Sequence, residues 1–501
     1  MNHQKRYLAI GAISFIFLFT VASVGPASYS KAVNIYEKIR VLNQIISIVN
    51  ENYVEPINWD EALDGAFLGL LDELDPHSSY ISRDKLEIVN EQFHGKFEGI
   101  GIEFDLLSGY ITVIAPVVDS PSDRAGLQPG DKIVSIDGED AYEITREDVY
   151  NTLRGPKGTA VLLTIRRPGQ EETFDVEIIR DQIPIYSLIS SFMIDDRTGY
   201  MRLTRFASST SQEVSEAVKS LRAEGMTRLI FDLRTNSGGY LEQAVNVADL
   251  FITSPDTLVY TAGRKAEMSE VYVASPKRGY GDFAVIVLIN RWSASASEIV
   301  AGAVQDLDRG LVMGETSFGK GLVQRQWPLK DGSALRVTIA RYYTPSGRLI
   351  QRPYDNGTRD YYEDLGKEDR EELLDSLRMD KPKYKTKRGR EVHGGGGISP
   401  DVYVPLSEYT ATTTRLVGHP RRLTFNWGTD YAKERKADWK DLLEFNHDFQ
   451  ITLELTENFL TYAKNQNVDF DRKELDKDIS YLKSVLKAEV AGAIWGISGK
   501  P

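Results

Sequence analysis

The sequence contains no cysteine. This absence excludes disulfide bonds, thiolate metal sites and cysteine nucleophiles, and it leaves the redox compartment open. Histidine is nearly as scarce, with six in 501 residues and none in residues 182–354. No His-Glu-x-x-His motif occurs, and the scattered histidines lack the spacing of metal ligands. The sequence therefore predicts no metal and no cofactor.

An excess of positive charge is also absent. The chain carries 60 Lys and Arg against 73 Asp and Glu, which gives a formal net charge of −13. A protein that binds a phosphate backbone presents a basic face, so we expect no nucleic-acid partner. At 501 residues the chain is too long for one hydrophobic core, and we expect several folding units.

The first 30 residues predict a signal peptide or a membrane anchor. Lys5 and Arg6 precede an uncharged run over residues 7–24, and small residues follow at 25–28. An 18-residue run is at the lower limit for spanning a bilayer, so cleavage after Ala27 and retention as an anchor both stay open. In either case we expect an exported protein of the periplasm or cell envelope, with a membrane association if the segment is uncleaved.

Residues 31–94 have the spacing of amphipathic helices, with apolar residues recurring at steps of three and four. The turn Asp75-Pro76-His77-Ser78 ends this helical unit, because proline breaks a helix. His77 could act as a catalytic base, but a histidine in a turn at a helix end is more often structural, and we favour that interpretation.

Residues 95–181 change to short alternating strands punctuated by glycine, and they resemble a PDZ domain. An Ala-Gly-Leu-x-Pro-Gly-Asp segment at 125–131 and an Ile-Asp-Gly turn at 136–138 carry the resemblance together with a glycine-rich loop. The loop's backbone N–H groups could bind a peptide's terminal carboxylate while the next strand pairs with the peptide. The loop consists of Gly99, Ile100, Gly101 and Ile102. A small β-domain that binds no peptide is the alternative.

Residues 182–354 alternate strand and helix patterns and predict an α/β domain with a largely buried sheet. Charged residues dominate 355–393, which we expect to be a mobile or loosely packed insertion with a short helix at 368–378, and 394–406 return to the domain. Residues 407–501 are again helical, with Asp471 and Glu474 as a capping pair for the last helix. We expect this extension to serve packing or oligomerisation.

Three serines lie between an apolar run at 283–289 and a helix pattern that follows, namely Ser293, Ser295 and Ser297. A helix N-terminus offers unpaired N–H groups that can stabilise an oxyanion. Lys320 follows in a Phe-Gly-Lys-Gly turn. Since no histidine is near in sequence, lysine is the available base, provided that burial lowers its pKa. These patterns do not choose among the three serines.

The segments 293–299, 305–306 and 314–321, with Asp-Leu-Arg-x-Asn-x-Gly-Gly at 232–239, resemble the C-terminal processing peptidases, or tail-specific proteases. The resemblance extends over residues 32–401. It implies a Ser/Lys-dyad serine protease with an inserted PDZ domain. By the same resemblance, Ser295 is the nucleophile, Lys320 the general base and Gln324 the residue that positions the lysine.

The resemblance also implies an oxyanion hole formed by the N–H of Ala296 and of a glycine, either Gly238 or Gly239. It makes Asp306 a supporting acid, although an acid at a helix end often forms only a salt bridge. The implied fold is a mixed α+β multidomain one. It has a ClpP/crotonase-like αβ catalytic core, a PDZ β-domain, an N-terminal helical unit and a C-terminal helical extension.

We therefore expect a serine endopeptidase that binds the C-terminal tails of protein substrates through its PDZ domain and cleaves them through an acyl-enzyme. An adaptor protein and self-association are further expected partners. The alternatives are a catalytically inactive PDZ scaffold or chaperone on a protease-derived fold, and a crotonase-like acyl-transfer or hydratase enzyme. Export and a PDZ domain do not suit the coenzyme A substrates of the latter.

Overall fold

The structure is a computed structural model that describes residues 35–275, 279–377, 381–433, 435 and 437–496. The signal or anchor segment predicted at residues 1–30 lies outside these ranges. Within the described ranges, no helix is both long and apolar enough to cross a membrane. The chain divides into two compact units, residues 1–67 and 68–501.

The first unit contains helix α1 (Ile35–Asn52) and most of α2 (Trp59–Asp72), which continues into the second unit. Helix α1 is amphipathic, and none of its residues is buried. The Trp59 indole N–H donates to the Asn50 side chain at 3.0 Å and joins the two helices.

The PDZ-like part of the second unit is an antiparallel sheet with the strand order β3-β4-β5-β7-β8. Its aliphatic core is fully buried and is centred on Ile111, Ile133 and Leu163. Strand β3 is the first in this strand order and so lies at one edge of the sheet. The elements before and within this part are β1 (Ser79–Ile81), α3 (Arg83–His94), β2 (Lys96–Gly99), β3 (Ile102–Leu107), β4 (Tyr110–Pro116), α4 (Pro121–Arg124), β5 (Lys132–Ile136), β6 (Glu139–Asp140), α5 (Arg146–Leu153), β7 (Ala160–Arg166), β8 (Phe174–Ile179) and β9 (Asp181–Pro184).

A second, six-stranded sheet has the order β10-β11-β12-β15-β16-β21 and is parallel from β11 onward. Helices α6, α7 and α8 alternate with its strands, as buried parallel sheets require. The carboxyl ends of parallel strands meet at one edge, where α/β proteins place their sites. The elements are β10 (Leu188–Met193), β11 (Thr198–Leu203), α6 (Thr210–Ala223), β12 (Arg228–Asp232), α7 (Leu241–Phe251), β13 (Thr257–Gly263), β14 (Val271–Val273), β15 (Ala284–Ile289), α8 (Ala296–Asp306) and β16 (Leu311–Gly314).

A third sheet, with the order β1-β18-β13-β14 and with β17 also paired to β18, contributes one wall of the site. Its central strand, β18, pairs with β1 from the turn after α2 on one side and with β17 on the other. The two long strands are β17 (Leu322–Pro328) and β18 (Ala334–Tyr343).

Residues 355–393, which we expected to be a charged insertion with one short helix at 368–378, form several regular elements in the part that the structure describes, and the expected helix is among them. This segment forms α9 (Thr358–Glu363), α10 (Arg370–Ser376) and the hairpin of β19 (Lys383–Lys385) and β20 (Glu391–His393). The Arg370 side chain is buried, and its guanidinium donates to the backbone oxygens of Thr316 and Ser317. Composition misleads here because a charged side chain can bind backbone carbonyls of the core instead of water.

Strand β21 (Val402–Tyr403) adds to the parallel sheet, and the described residues after it contain six helices. Asp471 caps α15 by accepting the N–H groups of Lys473 and Glu474, whereas the Glu474 carboxylate accepts from Thr412 instead of closing the capping pair. The helix predicted after Asp471 is divided in two. The six helices are α11 (Ala411–Val417), α12 (Leu423–Ala432), α13 (Leu442–Asp448), α14 (Leu453–Asn465), α15 (Arg472–Lys477) and α16 (Ile479–Trp495).

The helical extension packs on the PDZ-like sheet. Phe425 of α12 is buried against Leu107 and Ile114 of the edge hairpin. Arg422 lies 3.4 Å from the carboxylate of Asp105, to which Arg146 also pairs at 2.6 Å. The extension therefore has its own core and a second apolar contact with the sheet.

Candidate active site

Ser295 lies at the carboxyl end of the parallel sheet, between β15 and α8, where the chain turns sharply from strand to helix. Its φ is +55° and its ψ is −111°. A residue with a side chain rarely adopts such a backbone, and strain of this kind is concentrated at functional sites. The Ser295 N–H donates to the Glu298 carboxyl group at 2.8 Å. The turn is thus fixed by one side chain of the helix that follows it.

The three serines of this turn have different surroundings. Ser293 Oγ donates to the backbone oxygen of Leu233 at 2.8 Å, and Ser297 Oγ donates to that of Asn236 at 2.9 Å. Both serines are fully buried. Ser295 alone of the three lines a cavity of about 650 Å³, and its hydroxyl donates to no acceptor among the described residues. Only Ser295 therefore presents a free hydroxyl to a substrate.

Lys320 lines the same cavity. Burial and, secondarily, the positive charge of Arg336 lower the pKa of Lys320 to about 8, while Glu298 and Asp75 oppose the fall. About a tenth of the amine is consequently neutral at pH 7, far more than for a lysine with the usual pKa, and a general base must be neutral. In the described part of the chain, no hydrogen bond joins Lys320 Nζ to Ser295 Oγ. Such contacts often tighten only when a substrate binds.

Glu298 holds the nucleophile turn and the lysine loop together. Its two carboxyl oxygens accept from the N–H groups of Ser295, Gly319 and Lys320 and from the Ser317 hydroxyl, at 2.5–2.9 Å. Burial raises the pKa of Glu298, and the four donors oppose that rise. The sequence interpretation missed this residue. The Ser-x-x-Glu spacing from Ser295, a capping-box pattern, was the available signal.

Gln324 also lines the cavity, from strand β17. Its side-chain Nε2 donates to Thr338 Oγ1 of the paired strand β18 at 3.2 Å. Its Oε1 has no donor among the described residues. The structure therefore brings Ser295, Lys320 and Gln324 to one cavity.

The Gly238-Gly239 turn borders the nucleophile. A Cβ added to Gly238 would lie 2.9 Å from the Ser295 Cβ and 3.0 Å from the Ala296 nitrogen. The Gly238 N–H is occupied, because it donates to the Asn236 side chain at 2.9 Å. Among the described residues, the N–H groups of Gly239 and Ala296 have no protein acceptor. These two donors, rather than that of Gly238, are available to an oxyanion.

Asp306 is not brought to the cavity. It lies at the opposite end of α8, about 15 Å along the axis from Ala296 at 1.5 Å per residue. Its carboxylate pairs with Arg348 at 2.7 Å and accepts from Ser346, and both members of the ion pair are buried. Asp306 could be a supporting acid of the active site or form a salt bridge at a helix end. The structure has the salt bridge.

His77 lies near the lysine loop but is not suited to be a base. Burial, followed by the charge of Lys320, lowers its pKa to about 3. Its ring contacts Phe318, Tyr361 and Tyr362. In this aromatic cluster, His77 is a packing residue next to the site.

Residues 99–102 lie in the PDZ-like part and not in the catalytic cavity. The carbonyl groups of Ile100 and Gly101 accept from the segment at 117–122. Among the described residues, the N–H groups of these two residues have no protein acceptor. Beside them, strand β3 is an unpaired edge, and α5 runs next to it with Tyr150 against Phe104. An edge strand next to free N–H groups is the geometry that strand addition requires.

No metal site is found in the part of the chain that the structure describes. The described residues contain no group of three or more His, Asp and Glu side chains that could hold a metal ion. The cavity offers a hydroxyl, an amine, an amide and free backbone N–H groups. This set suits acyl transfer through a serine nucleophile.

Comparison with known proteins agrees with this chemistry. Residues 197–360 match Peptidase family S41, residues 112–167 match the PDZ domain, and residues 421–496 match a family of unknown function. The predicted PDZ domain and the mixed multidomain fold are thereby confirmed.

Two relatives and one solved structure illustrate the match. A carboxy-terminal-processing protease of Bartonella bacilliformis is 38% identical over 324 residues, which cover 64% of this chain and 74% of that protein. The carboxy-terminal processing protease CtpA of Bacillus subtilis is 32% identical over 338 residues, covering 66% and 68%. The structure of a photosystem II D1 C-terminal processing protease is 27% identical, with a TM-score of 0.37, covering 70% of this chain and 84% of that one.

Replacement of Glu298 tests its role in joining the two loops. The Glu298→Gln variant turns one acceptor oxygen into an amide donor that faces two donors. Each buried donor left without a partner costs about 1–3 kcal/mol, so we expect the free energy of unfolding to fall by about 2–6 kcal/mol. Chemical denaturation measures this, with the exposed Glu216→Gln as the matched control, for which we expect little change. An equal effect of both substitutions would contradict the assigned role.

Proposed function

Because the chain belongs to the carboxy-terminal processing serine proteases of Peptidase family S41, we propose that it is an endopeptidase that uses a Ser295/Lys320 dyad. The observation that carries the proposal is the shared cavity. It contains the one hydroxyl of the serine turn that donates to no described protein group, together with a lysine whose pKa is lowered to about 8.

In the proposed reaction, the neutral amine of Lys320 takes the proton of the Ser295 hydroxyl as Oγ attacks the peptide carbonyl carbon. The negative charge that develops on the carbonyl oxygen is stabilised by the N–H groups of Ala296 and Gly239. The ammonium returns the proton to the leaving amine, and the C–N bond breaks. Water, deprotonated by the same lysine, then hydrolyses the acyl-enzyme ester and regenerates Ser295.

The Gln324 side chain supports this scheme by accepting a hydrogen from the lysine amine. A base must direct its lone pair at the proton that it takes, and an acceptor on another amine hydrogen restricts the rotation of the amine. Gln324 has the free oxygen that this role needs, in the same cavity.

The PDZ domain is proposed to capture the substrate tail. A terminal carboxylate would accept from the free N–H groups of Ile100 and Gly101, and the tail would pair with the edge strand β3. Ile102 and Phe104 pack against the domain core next to this edge, which favours apolar tail residues. Capture of the tail would raise the local concentration of the rest of the substrate at the dyad.

Removal of either dyad residue tests the catalytic proposal. We expect Ser295→Ala and Lys320→Ala to lower the cleavage rate of an unfolded protein substrate at least about a hundredfold, the lower limit for a general base. Ser220→Ala and Lys330→Ala, at exposed positions, are the matched controls and should cleave like the wild type. Equal cleavage by all five proteins would refute the dyad, and no cleavage by any would favour an inactive scaffold.

A change at the substrate's terminus tests tail recognition without altering the enzyme. One substrate is prepared with a free terminal carboxylate and with a terminal carboxamide, and both are cleaved by the intact chain. Loss of charge-assisted hydrogen bonds predicts a KM about tenfold higher for the amide, with kcat nearly unchanged. Equal KM values would contradict capture of the tail by its carboxylate.

A further inference from the structure

The turn Asp75-Pro76-His77-Ser78 is tied to the catalytic sheet by hydrogen bonds that packing alone does not require. The Asp75 carboxylate accepts the N–H groups of His77 and Ser78, both at 2.9 Å, and the Ser78 hydroxyl at 2.7 Å. It also accepts from Thr338 Oγ1 at 3.1 Å, across 263 positions in sequence. The Thr338 N–H in turn donates to Ser78 Oγ at 3.1 Å.

Thr338 connects this turn to the cavity. A hydroxyl has one proton to donate, and in Thr338 that proton goes to the Asp75 carboxylate. Only lone pairs of Oγ1 remain for Gln324, so Gln324 must present its Nε2 donor to Thr338, as it does at 3.2 Å. The side-chain amide of Gln324 therefore has one orientation, with its Nε2 toward Thr338 and its acceptor oxygen Oε1 directed away from Thr338.

We propose that Asp75 and Thr338 are positioning residues, which fix the amide of Gln324 so that its oxygen accepts from the Lys320 amine and directs the amine's lone pair at Ser295. This inference rests on the proposed dyad and extends it by two residues, one of them outside the S41-matching segment. Without the Asp75 acceptor, the threonine hydroxyl could donate to Gln324, and the amide could turn its donor toward the lysine.

Electrostatics is consistent with this arrangement. The charge of Asp75 raises the pKa of Lys320, and the charge of Lys320 lowers that of His77. The turn and the lysine are therefore close enough to affect each other's charge. Asp75 opposes the effects of burial and Arg336, and so prevents a further fall in the pKa of the amine.

A purely structural role makes different predictions. Asp75 accepts the N–H groups of the two residues that follow Pro76, which is how an Asp side chain stabilises a turn. If that were its whole role, loss of the Thr338 hydroxyl would change stability, while kcat and its pH dependence in the folded protein would remain unchanged.

The test compares Thr338→Val, which keeps the shape but removes the hydroxyl, with Thr338→Ser, which keeps the hydroxyl. Thr456→Val is the matched control, because Thr456 is a buried threonine of the helical extension whose Oγ1 donates to a backbone oxygen. We expect Thr338→Val to lower kcat about tenfold or more with KM nearly unchanged, since general-base catalysis contributes about 10²–10⁴-fold. Thr338→Ser and Thr456→Val should retain the wild-type kcat.

The pH profile gives a second readout. Activity requires neutral Lys320 and so rises with pH through its pKa. The ammonium loses a fixed acceptor in Thr338→Val and a neighbouring negative charge in Asp75→Asn, so both variants should shift the rising limb to lower pH. Unchanged kcat and an unchanged limb in both variants would overturn the proposal.

A third readout separates this proposal from the dyad itself. The rate at which a small amine-reactive ester acylates Lys320 is followed against pH by mass spectrometry in the full chain. If Asp75 and Thr338 position Gln324 as proposed, the pKa of Lys320 is lower in Thr338→Val and Asp75→Asn than in the wild type. This holds whether or not the dyad cleaves peptides. Identical titration curves in the three proteins would overturn the positioning role of Asp75 and Thr338, even if Ser295→Ala and Lys320→Ala had confirmed the dyad.

Discussion

The geometry of the cavity depends on the buried carboxyl group of Glu298. The two segments that carry the nucleophile and the lysine are separated by β16 and do not pair with each other as strands. Four hydrogen bonds from these segments converge on the two oxygens of Glu298. Because Glu298 is on the first turn of α8, the helix that begins after Ser295 also fixes the loop that ends at Lys320. A buried acid with four donors is a strong constraint, since losing any of them leaves an unsatisfied polar group.

Charged side chains near Glu298 act on the pKa of Lys320 and on the position of the loop that carries it. Burial and Arg336 lower the pKa of Lys320, and Glu298 and Asp75 hold it near 8. The charged segment after Ile350 contributes as well, because Arg370 and Glu371 bind the backbone and the side chain of Thr316, four residues before the lysine. The lysine loop is thus held from the helix on one side and from this segment on the other.

Much of the fold could be predicted from periodicity. The strand Ala284–Ile289 follows from the continuous apolar run at 283–289, and the helix Ala296–Asp306 begins at the serines, as its pattern indicates. In the segment 355–393 the sequence indicates the helix near residue 370, but not the contacts of that helix with the core, since Arg370 binds backbone oxygens more than 50 positions away. The division of the last helix at Asp478 was equally hidden, because Asp478 accepts from Thr410, 68 positions away. Likewise, the sequence patterns alone left three candidate serines, and only the folded structure shows that the hydroxyls of Ser293 and Ser297 donate to distant backbone oxygens.

In the proposed reaction neutral Lys320 deprotonates Ser295, so the acylation rate of Ser295 should depend on the protonation state of the lysine. A small serine-reactive fluorophosphonate is added to the intact chain between about pH 6 and about pH 10, a range that brackets the lowered lysine pKa. Mass spectrometry then measures labelling of Ser295. If neutral Lys320 is the base, the labelling rate rises through a pKa of about 8 in the wild type and is lost in Lys320→Ala. A rate that is independent of pH over this range, or unchanged in Lys320→Ala, would contradict this role of Lys320.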